Sequence, residues 1–192
     1  MTLPPHQDAP PADDTRALVE LVPLGPVNLL AYQVVAANLQ TLMGLPTDTY
    51  PIIPMPEGAY MAARRQYDAV RIIQSLAARQ PGAAICLGIT AADVGTPILT
   101  YVFGESQLGG RVALVSLYRL SAEGEEQTLK RLTKVSMHEI GHTLGLGHCW
   151  EPHCLMRSPR NIEQLDDMEL DFCESCTYEI ARRVHRLASQ AH

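Results

Sequence analysis

Residues 138 to 148 read His-Glu-Ile-Gly-His-Thr-Leu-Gly-Leu-Gly-His, and three histidines at these intervals restrict the fold more than any other segment. On a helix, His138 and His142 lie about one turn apart, because four steps of roughly 100° return the second imidazole to within roughly 40° of the first. Both rings then project from one face. Gly145 follows, and a residue without Cβ accepts the left-handed turn that ends a helix and redirects the chain. That turn lets His148 approach from another side. Three neutral nitrogen ligands leave one corner of a tetrahedral zinc free for water, which separates a catalytic site from a closed structural one. Glu139, beside the first histidine and close to that open corner, can hydrogen-bond the water without binding the metal, as a general base does. Leu144 and Leu146 flank the glycine and predict that the helix end packs on a core, which gives a metal site rigidity. A helix with two histidines on a polar face is the bland alternative, and Gly145 and His148 argue against it.

A second cluster follows at once: Cys149 and Cys154, then Cys173 and Cys176 as Cys-Glu-Ser-Cys. Each pair can span one edge of a tetrahedron around zinc at about 2.3 Å per sulfur. A redox dithiol or two disulfides would use the same residues. A thioredoxin-like pair is expected after a strand, however, and this one opens what reads as the last helix, so a structural zinc is the reading. Four thiolates on Zn²⁺ carry a net charge of minus two, which helix N-terminal amides near Cys176, with Arg157 or Arg160, would offset. Cys86 lies in an apolar stretch and reads as an inert core thiol.

In His138, Glu139, His142, Gly145, His148, Met156 and the cysteines at 149, 154, 173 and 176, the chain resembles the archaemetzincins, a branch of the metzincin zinc peptidases. Residues 101–105 and 110–120 also look like that family's strand region ahead of the zinc helix. The resemblance implies an α/β, metzincin-like single domain over residues 18–192. It would hold a mixed twisted sheet with backing helices, a zinc-binding active-site helix and a C-terminal helix. It implies two Zn²⁺ ions, Met156 in a turn beneath the catalytic one, and a small zinc-dependent peptidase often described as an aminopeptidase.

With 192 residues and 46% hydrophobic content, the chain suffices for one domain with a sizeable core. Its net charge of −6 has no basic face, which disfavours nucleic acid as a partner. The first 17 residues, rich in proline and aspartate and without a signal-like apolar run, read as a disordered leader, so a cytoplasmic location is expected. Asn28, Gln33 and Asn38 interrupt the longest apolar stretch, which disfavours a membrane span.

Hydrophobic spacing predicts strands over residues 18–24, 49–54, 84–90, 98–103 and 111–117. It predicts helices over residues 27–43, 60–79, 125–144 and 176–188. Ile180, Val184 and Leu187 form a core stripe on the last helix, and Arg182, Arg183 and Arg186 complement its dipole. His153 and His185 read as surface residues. Asp166, Asp167, Glu169 and Asp171 read as a solvated loop.

The leading functional reading is peptide-bond hydrolysis, with Glu139 taking a proton from water and delivering it to the departing amine. The strand at 111–117 is expected to form the cleft edge on which an extended peptide lies. Glu105 is the candidate acid for a substrate α-amine. The alternatives are a zinc-stabilised peptide-binding or regulatory protein with little turnover, and a zinc-ribbon interaction module. Glu139 argues against the first, since a merely structural site needs no base.

Overall fold

The computed structural model describes residues 17–122 and 124–190, so the expected leader lies outside the described residues except for Ala17. In chain order the elements are β1 (Val19–Leu24), α1 (Leu29–Met43), β2 (Thr47–Thr49), β3 (Tyr60–Met61), β4 (Gln66–Asp68), α2 (Ala69–Ala78), β5 (Ile85–Thr90), β6 (Val94–Gly95), β7 (Gly104–Ser106), β8 (Val112–Ser116), α3 (Glu125–Thr143), α4 (Ile162–Asp167) and α5 (Glu174–Gln190). β1, β5 and β8 are buried along their whole length. Strands covered on both faces need such continuous apolar runs.

The main sheet has the order β2-β1-β5-β8-β7. Its pairs are parallel except β7 with β8, which is antiparallel. β3, β4 and β6 form a smaller sheet. Alternate side chains of the central strands enter two cores. Leu21, Leu87 and Val115 pack among residues of α1, α3 and α5, including Leu39, Ile140 and Ile180. Val22, Cys86 and Leu114 pack against Ile72, Ile73 and Leu76 of α2. The histidine-bearing helix is thus held against one face of the sheet by core contacts, each fully buried Leu or Ile contributing about 1.5–3 kcal/mol.

Local signals explain the helix starts. Asn28 accepts the Leu30 N–H at 3.0 Å and caps α1, and Asp68 accepts the Val70 N–H at 2.9 Å and caps α2. The helix expected over residues 60–79 therefore begins only at Ala69. Its periodic apolar residues, from Val70 to Ala77, all lie beyond that cap. The preceding residues fold instead into the β3–β4 hairpin, with Arg65 at φ 52° in the turn and the Tyr60 and Tyr67 rings 5.1 Å apart.

Three other expectations shift. The second strand lies at Thr47–Thr49 rather than 49–54; beyond it Tyr50 N–H still donates to Leu21 O and Ile53 bridges to β1, but Pro51 and Pro54 have no N–H to continue the ladder. No strand forms over 98–103. Ile98 there is 92% exposed, and the Arg64 guanidinium orders the start of the segment by donating to the carbonyls of Thr96, Leu99 and Thr100. The acidic run is a solvated loop only in its second part, where Glu169 and Asp171 are exposed; α4 takes in Asp166 and Asp167, and Asp166 receives Arg131 at 2.7 and 2.6 Å through both oxygens. Among the described residues, no helix is long and apolar enough to cross a membrane.

Candidate active site and metal centres

The helix α3 carries His138 and His142 on one face, with their Nε2 atoms 3.0 Å apart. Each Nδ1 lies 2.8 Å from a carbonyl oxygen, Leu155 O for His138 and Leu146 O for His142. A carbonyl only accepts, so each Nδ1 carries the proton and each Nε2 presents a lone pair. Two lone pairs directed at each other across 3.0 Å repel unless a cation lies between them. The separation is close to the roughly 3.3 Å edge of a tetrahedron with Zn–N bonds of about 2.0–2.1 Å. After α3, Gly145 takes φ 88° and donates to His142 O at 2.7 Å, while Leu146 N–H returns to Gly141 O at 3.0 Å. This left-handed ending turns the chain so that His148 completes the group. The metal-binding nitrogens of His138, His142 and His148 all lie within 4.8 Å of one another. Leu144 and Leu146 are buried, as their places beside the glycine predict.

Glu139 is buried in the lining of a cleft of about 820 Å³ that the three histidines also line. Burial pushes its carboxyl up to about 8; the Ser106 hydroxyl opposes this and the Glu105 carboxylate adds to it. Ser106 Oγ donates to Glu139 Oε2 at 2.5 Å. Gly104 presses on the other side: a Cβ there would stand 2.7 Å from both Cγ and Oε1 of Glu139. β7 thus fixes the carboxylate from two positions, and sequence reasoning found neither. Ser106 is 33 residues from Glu139, and no local spacing links them. Burial likewise lowers His138 to about 4, which keeps the ring neutral and able to bind a metal.

The four cysteines also converge. Cys149, Cys154, Cys173 and Cys176 place their sulfurs within 4.8 Å of one another, with Cys149 and Cys173 at 3.8 Å. Zn–S bonds of about 2.3 Å give a tetrahedral edge of roughly 3.8 Å, so the sulfur set has the size of a zinc site. The chain between Cys154 and Met156 serves both centres. Cys149 N–H donates to Met156 O at 2.9 Å, Met156 N–H to Cys154 Sγ at 3.4 Å, and Leu155 O holds His138. Met156 packs beneath α3 because Gly141 has no Cβ; one there would collide with Met156 Sδ.

Other assignments fall where expected or shift. Cys86 is fully buried in the core, and burial raises its thiol to about 12. His153 and His185 are exposed. The arginines do not complement the dipole of the last helix as expected, because α5 runs to Gln190 and its last turn holds no basic residue; Arg182 and Arg183 pair with Glu179 instead, and Arg183 Nη1 donates to Leu144 O at 2.6 Å and closes the end of α3. The 111–117 segment is not the cleft edge: β8 is sandwiched between β5 and β7, and β7 holds the free edge beside the cleft. Glu105 lies on that edge strand and lines the cleft, with burial raising its carboxyl above the ordinary range.

The sequence model of peptidase family M54 matches residues 37–182. The chain belongs to this family, the archaemetzincins. It is 33% identical to an archaemetzincin from Archaeoglobus fulgidus over 154 residues, covering 80% of this chain and 93% of that one. The crystal structure of archaemetzincin from Methanopyrus kandleri superposes with a TM-score of 0.82 at 30% identity, over 91% of this chain and 99% of that one. That of the A. fulgidus archaemetzincin, complexed with malonate, gives 0.77 at 32% identity over 84% and 98%. The mixed α/β single domain is that of these archaemetzincin structures, and the histidine and cysteine groups fit a catalytic and a structural zinc.

Proposed function

We propose that this archaemetzincin hydrolyses peptide bonds as an aminopeptidase, with zinc held by His138, His142 and His148 and with Glu139 as general base and then general acid. A structural zinc is held by Cys149, Cys154, Cys173 and Cys176. The observation that carries the reading is a buried carboxylate, pinned by Ser106 and Gly104, in the cleft that the three histidines share. A bound zinc supplies Lewis acidity, lowering the pKa of water toward about 7 and polarising the scissile carbonyl. Glu139 accepts the proton of the attacking water and passes it to the departing amine.

β7 ends the sheet, so its outer edge is available to hydrogen-bond an extended peptide beside Glu139. Glu105, on the same strand, supplies the acid for a free α-amine. The test is hydrolysis of matched peptides with free and acetylated N-termini by the zinc-loaded protein. The free forms are expected to be cleaved faster, and Glu105→Gln is expected to remove most of that difference. An unchanged ratio in the variant would remove Glu105 from the mechanism; equal cleavage by the wild type would make the enzyme an endopeptidase.

A further inference from the structure

Lys134 stands one turn before His138 on α3, about 6 Å along the axis, and forms part of the cleft wall. The residue is only 8% exposed, which is rare for a lysine without a charged partner. Its Nζ donates to Leu165 O and Asp166 O, each at 2.9 Å. Neither acceptor is charged. The Asp166 carboxylate is already engaged by Arg131 through both oxygens and by Gln127 at 2.8 Å. Among the described residues, no carboxylate forms an ion pair with Lys134. An ammonium has three donors, and the two carbonyls account for two of them. Arg160, exposed, lines the same cleft. Val135, Leu165 and Met168 supply apolar wall there. Apolar walls with a cation at hand suit a group with a short hydrocarbon stem and a carboxylate end.

We propose that Lys134, assisted by Arg160, is a specificity determinant of the cleft, selecting peptides that carry a carboxylate within one residue of the scissile bond. This rests on the peptidase reading. The carboxylate belongs to a glutamate or aspartate side chain or to the peptide's own C-terminus; both offer the same chemistry. Asp166 and Asp167 act on Lys134 only through space, so a bound carboxylate supplies the direct ion pair that Lys134 lacks and takes its third donor in a charge-assisted hydrogen bond. A neutral isostere leaves a nearly buried ammonium without that partner.

The experiment compares kcat/KM of the zinc-loaded enzyme for peptides with Glu or Gln at each position flanking the cleaved bond, and for short peptides with free-acid or amide C-termini. At one position, or at the terminus, the acid is expected to exceed its neutral counterpart by about tenfold or more. Lys134→Gln should bring that ratio near one, Lys134→Arg should retain much of it, and Arg160→Gln should reduce it in part. Equal rates for every acid and amide pair in the wild type overturn the proposal, as does a preference that survives Lys134→Gln. Should Lys134→Gln fail to fold, the wild-type ratio and its reduction in the surface variant Arg160→Gln decide. Fluorescence anisotropy of the same labelled peptides on zinc-loaded Glu139→Ala protein reads the preference without turnover. Tighter binding of the acids with no hydrolysis by the wild type keeps the carboxylate pocket and removes the peptidase. Equal affinities with normal hydrolysis do the reverse.

Discussion

The histidine group and the cysteine group answer the same requirement, several donor atoms held within 4.8 Å, in opposite ways. The histidines sit on a rigid helix and the loop after it, face an open cleft, and end in an exposed His148. The cysteines come from three separate places, the loop after α3, the Cys154 turn and the start of α5, and enclose their centre around the buried Cys154. One arrangement leaves a corner for a reactant, and the other uses every corner to tie chain segments together. They are not independent, because the turn that supplies Cys154 also supplies the carbonyl that orients His138. The closed centre therefore supports the open one.

The sharpest way to separate the two centres is Glu139→Ala. Hydrolysis should fall by about 10²–10⁴-fold, the usual worth of a general acid–base group. Zinc content and melting temperature should stay near wild type; elemental analysis and calorimetry on the samples used for kinetics check this. A fully active variant would end the Glu139 mechanism.

Cys173→Ser probes the dependence between the centres. It should lose about one zinc per chain and melt lower, because structural zinc binding is folding free energy. Activity should also fall, by about 10–100-fold, since the Leu155 carbonyl that aims His138 loses its anchor. Unchanged kinetics in a protein that has lost this zinc would show the two centres to be uncoupled.

Gly141→Ala addresses the contact beneath the histidines. The new methyl must displace Met156, at a cost of about 1–3 kcal/mol in a packed core. Chemical denaturation measures this, and a variant as stable as wild type would mean that the methionine turn is free to move.

The smallest effect concerns the Arg131–Asp166 pair, which ties α3 to α4. The Arg131 guanidinium holds the Asp166 carboxyl below its ordinary range, partly opposed by burial and aided by Gln127. A depressed folded pKa stabilises above the unfolded value of about 3.9, and the contribution disappears as pH falls through the folded value. Asp166→Asn should therefore cost ~1 kcal/mol at pH 6, and its difference from wild type should shrink toward pH 3 in urea titrations.

The two centres were legible in the sequence to very different depths. Their donors were, because His138 and His142 are set by helix periodicity, Gly145 by its backbone conformation, and the cysteines by pairing in close spacing. What surrounds the donors was not. Ser106 and Gly104 reach Glu139 only because β7 pairs antiparallel with β8 at the sheet edge, a register that no local pattern encodes. The apolar run at 98–103 carries a strand-like composition, yet the Arg64 guanidinium takes the carbonyls of Leu99 and Thr100, and only at Phe103 does the run meet β8, whose Ser116 N–H donates to its carbonyl. The helix expected from residue 60 failed for a related reason: the Asp68 cap and the Tyr60–Tyr67 pairing outweigh helical propensity before Ala69.

The sequence by itself determined which atoms can bind metal and which carboxylate stands beside them, since helical spacing and donor chemistry are local properties. Only the tertiary structure decided which strand borders the cleft, which hydroxyl holds Glu139, and that Lys134 is buried there without a carboxylate partner. Those outcomes depend on sheet order and on contacts between residues distant in the chain, where many pairings satisfy the same local preferences and the packing of the whole domain selects one.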